Sequence, residues 1–360
     1  MATGGVTREP SETSETPQNS GSSIPEAIVA DGVKRRRFAG RKTAHKTLVR
    51  MAEEFGVPIV LVVLIIVFSI LLPNTFPTSL NLTGLLSTQD IVLLVALGAL
   101  APLIGGEYDL SIGYVLGFCS VEVAVLTINV GLNVWVASII TVLSAIVIGT
   151  FNAFLVLQLR ISSFIATLAS GTVLSGLALL ISNSTIVTGT FPNNFLKLGF
   201  GGPGGIPPAV YVVVVIGALM LYVFEHTPVG RRLEAIGQGR DAARLGGLRI
   251  NRLIFMSLVV SAGVSGLAGV LNTASQGSAD PSVGPEFLLP ALAAAFLGST
   301  TIRPGRFNVL GTVASILLLA VGFNGLSQLG APQWVSPVFD GAVLIVAVGL
   351  TRGRVKGGAS

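Results

Sequence analysis

Long apolar runs separated by short polar gaps dominate this 360-residue chain. A helix needs about 20 mainly apolar residues to cross the hydrocarbon core of a bilayer. Runs near that length recur at 55–72, 88–104, 110–128, 133–157, 162–182, 209–226, 252–275, 287–299, 307–328 and 335–350. They are continuous rather than alternating, which excludes the two-residue period of an outer-membrane barrel strand. Charged residues make up 11% of the chain, against about 25% in an ordinary soluble domain. The reading is an all-α, polytopic membrane helical bundle of about ten transmembrane helices. The 287–299 run is short for a full crossing, and only Gly105-Gly106-Glu107-Tyr108-Asp109 separates the second run from the third.

The bases set an orientation. With a cytoplasmic N-terminus and ten crossings, 21 of the 22 Lys and Arg fall on the cytoplasmic side and only Lys197 falls outside. The positive-inside rule then places both termini in the cytoplasm, as expected for a multi-pass inner (plasma) membrane protein. Residues 1–54 read as a disordered polar stretch followed by a basic cytoplasmic tail, 55–350 as the membrane domain and 351–360 as a C-terminal tail. No cleavage site for a signal peptide is apparent. The net charge of +5 is concentrated at 34–50 and in short gaps, a pattern of membrane orientation and not of nucleic-acid binding. Cys119 is the only cysteine and forms no internal disulfide.

Few residues are suited to chemistry. The segment 227–252 is the longest polar stretch within the membrane region on the basic side. Arg240-Asp241-Ala242-Ala243-Arg244-Leu245 has helix-forming composition, with Gly239 before it and Gly246-Gly247 after it; this predicts a short helix between two spans, with Ala242, Ala243 and Leu245 giving it a small apolar surface. It is either an orienting basic loop or a docking helix for a cytoplasmic partner. Asp109, flanked by Gly105, Gly106 and Gly113, is either an N-cap or a functional carboxylate at a broken helix. Glu122, Asn152 and Asn324 are polar groups within spans, and each suits helix–helix bonding or contact with a passing solute. Gly263-Val264-Ser265-Gly266 matches the nucleophile pattern of rhomboid-type proteases, yet neither His45 nor His226 is placed to serve as its base. No metal-ligand spacing and no Gly-x-x-x-x-Gly-Lys-Ser/Thr loop occur, so the chain is expected to bind neither metal nor cofactor.

Four segments resemble the permease subunits of bacterial ABC importers of the ribose-type sugar family. Gly237-Gln238-Gly239-Arg240-Asp241-Ala242-Ala243-Arg244-Leu245-Gly246-Gly247-Leu248 is similar to that family's Gly-Gly-Asn-x-x-Ala-Ala-Arg-x-x-Gly-Ile, with Gly239 replacing the asparagine and Leu248 the isoleucine. Gly105-Gly106-Glu107-Tyr108-Asp109-Leu110-Ser111 resembles Gly-Gly-x-Asp-Leu-Ser with one residue inserted. Gly149-Thr150-Phe151-Asn152, then Ser163-Phe164-Ile165-Ala166-Thr167-Leu168, form the third match. Ala291 to Thr300 followed by Pro304-Gly305-Arg306 form the fourth, with Pro290 and Ser299 departing from the pattern.

The resemblance implies a type II ABC importer-like fold. It further implies an ATP-binding subunit, carrying ATP and Mg, docked on the cytoplasmic face around Gly239 to Gly246, and an extracytoplasmic solute-binding protein facing loops 183–208 and 276–286. It also implies a second permease chain, as a homodimer. Asp109, Ser111, Glu122, Asn152 and Asn324 become candidates for the pathway or its gate. The expected solute is a monosaccharide such as a pentose or hexose; the alternatives are a polyol, a nucleoside or another non-sugar solute, or a secondary transporter acting alone.

Overall fold

The computed structural model describes residues 55–345, apart from Gln333 and Ser336. The tails at 1–54 and 351–360 and the end of the last run lie outside the described residues. Helix α1 spans Phe55–Leu71. It is followed by α2 (Ser79–Ile104), α3 (Ile112–Ile128), α4 (Val134–Leu157) and α5 (Ser163–Ile181). Next come strand β1 (Val187–Thr188), the single turn α6 (Asn193–Leu196) and α7 (Pro208–His226). The polar segment holds α8 (Pro228–Gln238) and α9 (Arg240–Leu245). Last are α10 (Ile250–Gln276), β2 (Ser278–Ala279), α11 (Gly284–Gly298) and α12 (Val309–Gln328), before a helical stretch at 337–345. The only sheet among the described residues pairs β1 with β2 antiparallel, Val187 opposite Ala279.

The bundle is all-α and polytopic. Six helices (α2, α4, α5, α7, α10 and α12) are long and apolar enough to cross a membrane, and α1, α3 and α11 are shorter apolar helices. The expected ten spans are reached only by adding those three and the stretch at 337–345. The second run also begins earlier than its apolar pattern suggests. Helix α2 starts at Ser79 rather than 88, because Thr78 Oγ1 accepts from Asn81 N at 3.2 Å and caps it and Leu85 packs with Phe68 and Phe76.

The connections between helices sort to two ends. At one end Gly106 lies against Gly237, Tyr108 N bonds to Ser163 Oγ, Arg303 pairs with Glu225 and Arg306 with Glu234. Loops 105–111, 158–162, 227–249 and 299–308 therefore meet there. They hold eight of the ten Lys and Arg in residues 55–345, and a ninth, Arg252, lies in the first turn of α10 at the same end; the tenth, Lys197, follows α6 at the other end, close to β1 and β2.

Helix α10 runs through the middle, against α2, α3 and α4. Lipid tails supply no hydrophobic drive between helices, so close backbone approach must supply the cohesion. A Cβ on Gly269 would sit 2.5 Å from Leu116 O and 2.8 Å from Cys119 Cβ; one on Gly113 would sit 2.5 Å from Gly284 O. Gly269→Ala is therefore expected to destabilise the bundle by about 1–3 kcal/mol, read as a lower Tm of the purified chain in detergent. Gly176→Ala, with nothing within 4 Å of the added carbon, should leave the Tm unchanged or slightly raised.

Candidate functional site: a buried helix break linked to a surface helix

Helix α2 ends at Ile104, with Pro102 in its last turn and Gly106 at φ +77°. The next five residues, 107–111, are irregular, and four of them are buried: Asp109 is 2% exposed and Ser111 is fully buried, while only Tyr108 reaches the surface. An irregular backbone inside a membrane bundle needs protein partners for its N–H groups. Tyr108 N donates to Ser163 Oγ at 3.1 Å, and Leu110 N to Thr167 Oγ1 at 2.9 Å. Ser111 N donates to Asp109 Oδ1 at 3.0 Å. The first turn of α5 and one carboxylate thus replace the missing helix bonds.

The same carboxylate ties three helices together. Asp109 Oδ1 also accepts from Ser111 Oγ at 2.5 Å, and Oδ2 accepts from Ser261 Oγ of α10 at 2.7 Å. Asn152 of α4 donates to Ser111 Oγ at 2.9 Å. Ser261 lies eleven residues into α10, about 16 Å along its axis from the basic end. Ser111 is the N-cap residue of α3 and makes no side-chain cap bond of its own. Asp109, two residues upstream, is therefore not the N-cap itself: it accepts from Ser111 N and Oγ and bridges to α10.

At the basic end, Thr227 Oγ1 accepts from Val229 N at 3.2 Å to start α8. Leu233 and Ile236 turn inward from it. Helix α9 spans Arg240–Leu245, as its composition predicts, between Gly239 and Gly246. Its end is closed by Leu248 N donating to Ala243 O at 3.1 Å around Gly247 at φ +74°, a left-handed stop that glycine accommodates without strain. Asp241, Ala242 and Arg244 are exposed, and Leu245 is 91% exposed. Ala243 differs from its expected place on the apolar docking surface: it is buried against Leu233, Ile250 and Ile254 and anchors the helix from behind.

Surface helix and buried break are joined. Arg240 forms an ion pair with Glu107, whose side chain is only 8% exposed. Arg306 reaches Glu234 at 2.5 Å, and Arg303 reaches Glu225 at 3.2 Å. A cavity of about 430 Å³ lies between these loops, lined by Glu107, Tyr108, Glu234, Gly237, Arg306 and Phe307 among others. From Arg240 the path runs to Glu107, then two residues along the backbone to Asp109, and from there to α3, α4 and α10.

Asp109, Ser111 and Asn152 therefore come together, and the other candidates lie apart. Glu122 of α3 accepts from Ser144 Oγ of α4 at 2.5 Å. Asn324 accepts from Gln328 Nε2 at 2.8 Å, and that nitrogen also reaches Asn81 Oδ1 at 2.9 Å. Ser265 is buried within α10, while His226 stacks on Tyr222. Glu107, Ser163, Thr167 and Ser261 were not among the candidates. Glu107 carries a signal, since it lies in the motif with an inserted residue, and Ser163 and Thr167 lie in the third motif. Ser261 carries none.

Residues 81–348 match the family model described as "Branched-chain amino acid transport system / permease component". The ribose import permease protein RbsC of Bacillus subtilis is 35% identical over 303 residues, which cover 83% of this chain and 93% of that protein. The L-arabinose transport system permease protein AraH of Escherichia coli is 30% identical over 307 residues, 85% of this chain and 93% of that protein. The autoinducer 2 import system permease protein LsrD of Photorhabdus laumondii is 29% identical over 316 residues, 83% and 91% of the two chains. No solved structure matches the chain.

Removing the bridging carboxylate should be costly. Asp109→Ala leaves the Ser111 and Ser261 hydroxyls and the Ser111 N–H without their acceptor, at about 1–3 kcal/mol for a buried group so stranded. Asp109→Asn keeps an acceptor and should cost less. Thermal unfolding of the purified variants checks the order, and equal Tm values for Ala and wild type would refute the bridging role.

Proposed function

Because this chain belongs to the branched-chain amino acid transport system permease family, we propose that it is the membrane-spanning permease subunit of an ATP-driven ABC importer that carries a neutral sugar-like solute inward. The chain is a multi-pass membrane protein of a transport family. That the solute is a sugar, with pentoses and hexoses foremost, rests on relatives whose names specify ribose and L-arabinose. The orientation follows from the basic end, which the positive-inside rule assigns to the cytoplasm of a bacterial inner membrane. Residues 1–54 and 351–360 are then cytoplasmic tails.

The observation that carries this reading is the exposed helix α9, with Leu245 standing out of it and Arg240 reaching back to the buried break. Asp241, Ala242, Arg244 and Leu245 all stand exposed on this one short helix at the basic end, a surface that suits a docking contact. We assign that contact to an ATP-binding subunit, which holds ATP and Mg in place of this chain. Arg240, Asp241 and Arg244 sit at the rim of the contact, where charges set register more than affinity. Displacement of α9 is passed through Glu107 to the start of α3. A solute-binding protein faces the opposite end, around β1, β2 and loops 183–208 and 276–286, and a second copy of the chain completes the transporter.

The test is uptake of D-ribose and L-arabinose into proteoliposomes holding the permease, its ATPase and its binding protein. Leu245→Glu is expected to lower ATP-driven uptake at least about tenfold, equal to about 1.4 kcal/mol of docking or coupling free energy, with membrane insertion intact. Glu107→Arg and Arg240→Glu should each uncouple ATP hydrolysis from uptake, and the double exchange should restore part of it. Uptake that proceeds without the ATPase subunit would overturn the proposal.

A further inference from the structure

A second cavity lies at the end opposite α9. Helices α2, α10 and α11 and the loop at 199–207 surround a space of about 390 Å³, toward the lower end of the roughly 300–1,000 Å³ usual for ligand sites. Thr83 and Ser87 of α2 and Asn272, Ser275 and Gln276 of α10 supply its polar groups, and Phe287 of α11 supplies a ring. None of the described residues lining it is charged.

The polar groups are held in place. Asn272 is 3% exposed and donates to Ser120 Oγ at 3.3 Å. Ser87 donates to Thr83 O at 2.7 Å, which leaves its oxygen lone pairs as acceptors. The loop is seated tightly, since a Cβ on Gly199 would lie 2.7 Å from Ser275 N. Ser275 Oγ itself is buried and has no hydrogen-bond partner among the described residues. It is the one such atom among the described residues that line this cavity, and its hydroxyl is free to bond a bound solute.

We propose that this cavity is a binding site, within a single protomer, for a neutral polyhydroxylated solute of about monosaccharide size. Hydroxyls and side-chain amides both donate and accept, as each hydroxyl of such a solute does, and Phe287 faces its C–H surface. An amino acid is a poor match, because its buried ammonium and carboxylate would need charged or densely hydrogen-bonding partners, and the lining has no charge to offer. The chemistry stands on the lining alone; the role as a station on the inward route rests on the permease reading.

Cysteine protection in the full transporter tests the site. Cys119 is buried and is replaced by serine; Ser275→Cys or Ser87→Cys is then introduced and labelled with a small methanethiosulfonate reagent. D-ribose or L-arabinose should slow labelling about tenfold at roughly ten times its Kd, whereas leucine should not. Asn193→Cys, exposed at the same end, should label at one rate throughout. Failure of both sugars to protect either variant, or equal protection by leucine, overturns the proposal. Uptake of D-ribose and L-arabinose by the wild-type transporter is followed in parallel. Uptake without protection removes this site and leaves the permease reading; protection without uptake keeps the site and removes that reading.

Discussion

Lipid offers no hydrogen bonds, so every backbone group left outside a helix at membrane depth must be met by protein. The architecture around Asp109 follows from that requirement. Between Ile104 and Ile112 the chain leaves helical geometry inside the bundle, and the hydroxyls of Ser163 and Thr167 take up the exposed N–H groups. Those bonds hold the start of α5 against the break. Asp109 then fixes the start of α3 and reaches across to Ser261. Remove the need to satisfy the backbone, and nothing would require these helices to meet at one point.

Close packing turns that point into a fixed framework. Helices α3 and α11 approach each other backbone to backbone at Gly113 and Gly284, and α10 lies against α3 at Gly269. Contacts this close leave little room for sliding, so displacement at one end is transmitted rather than absorbed. The ion pair from Arg240 to Glu107 enters this framework at its weakest place, the irregular backbone between two helices. The surface helix is thus tied directly to the buried break rather than to the long helices.

Most of the fold was legible because the solvent dictates it. Apolar runs have to be long, and basic residues have to gather on one side. Boundaries were less legible: Ser79 to Thr88 is too mixed in polarity to read as a span, and tertiary contact of Leu85 with Phe68 and Phe76 keeps it helical. At α3 and α11, read as spans over 110–128 and 287–299, the helices are only 17 and 15 residues long and fall short of the six longer ones. At the candidate site, Asp109 and Asn152 could be found because polar groups stand out in apolar sequence, and Ser111 because it lies in the motif resembling Gly-Gly-x-Asp-Leu-Ser. Ser261 could not, since serine is common in packed membrane helices. Ala243 shows another limit: six residues hold less than two helical turns, so nothing in its spacing separates the inner face from the outer.

Helix α9 has a mechanical consequence. A helix of six residues is far below the roughly 12–15 needed for even marginal stability alone, so its shape depends on one buried alanine, one ion pair and a glycine stop. Such an element behaves as a fuse. Tension stronger than those few attachments would unwind the short helix before it could distort the packed interior. Under the proposed docking, the ceiling on the force the bundle can experience is set at its edge, by its least cooperative piece.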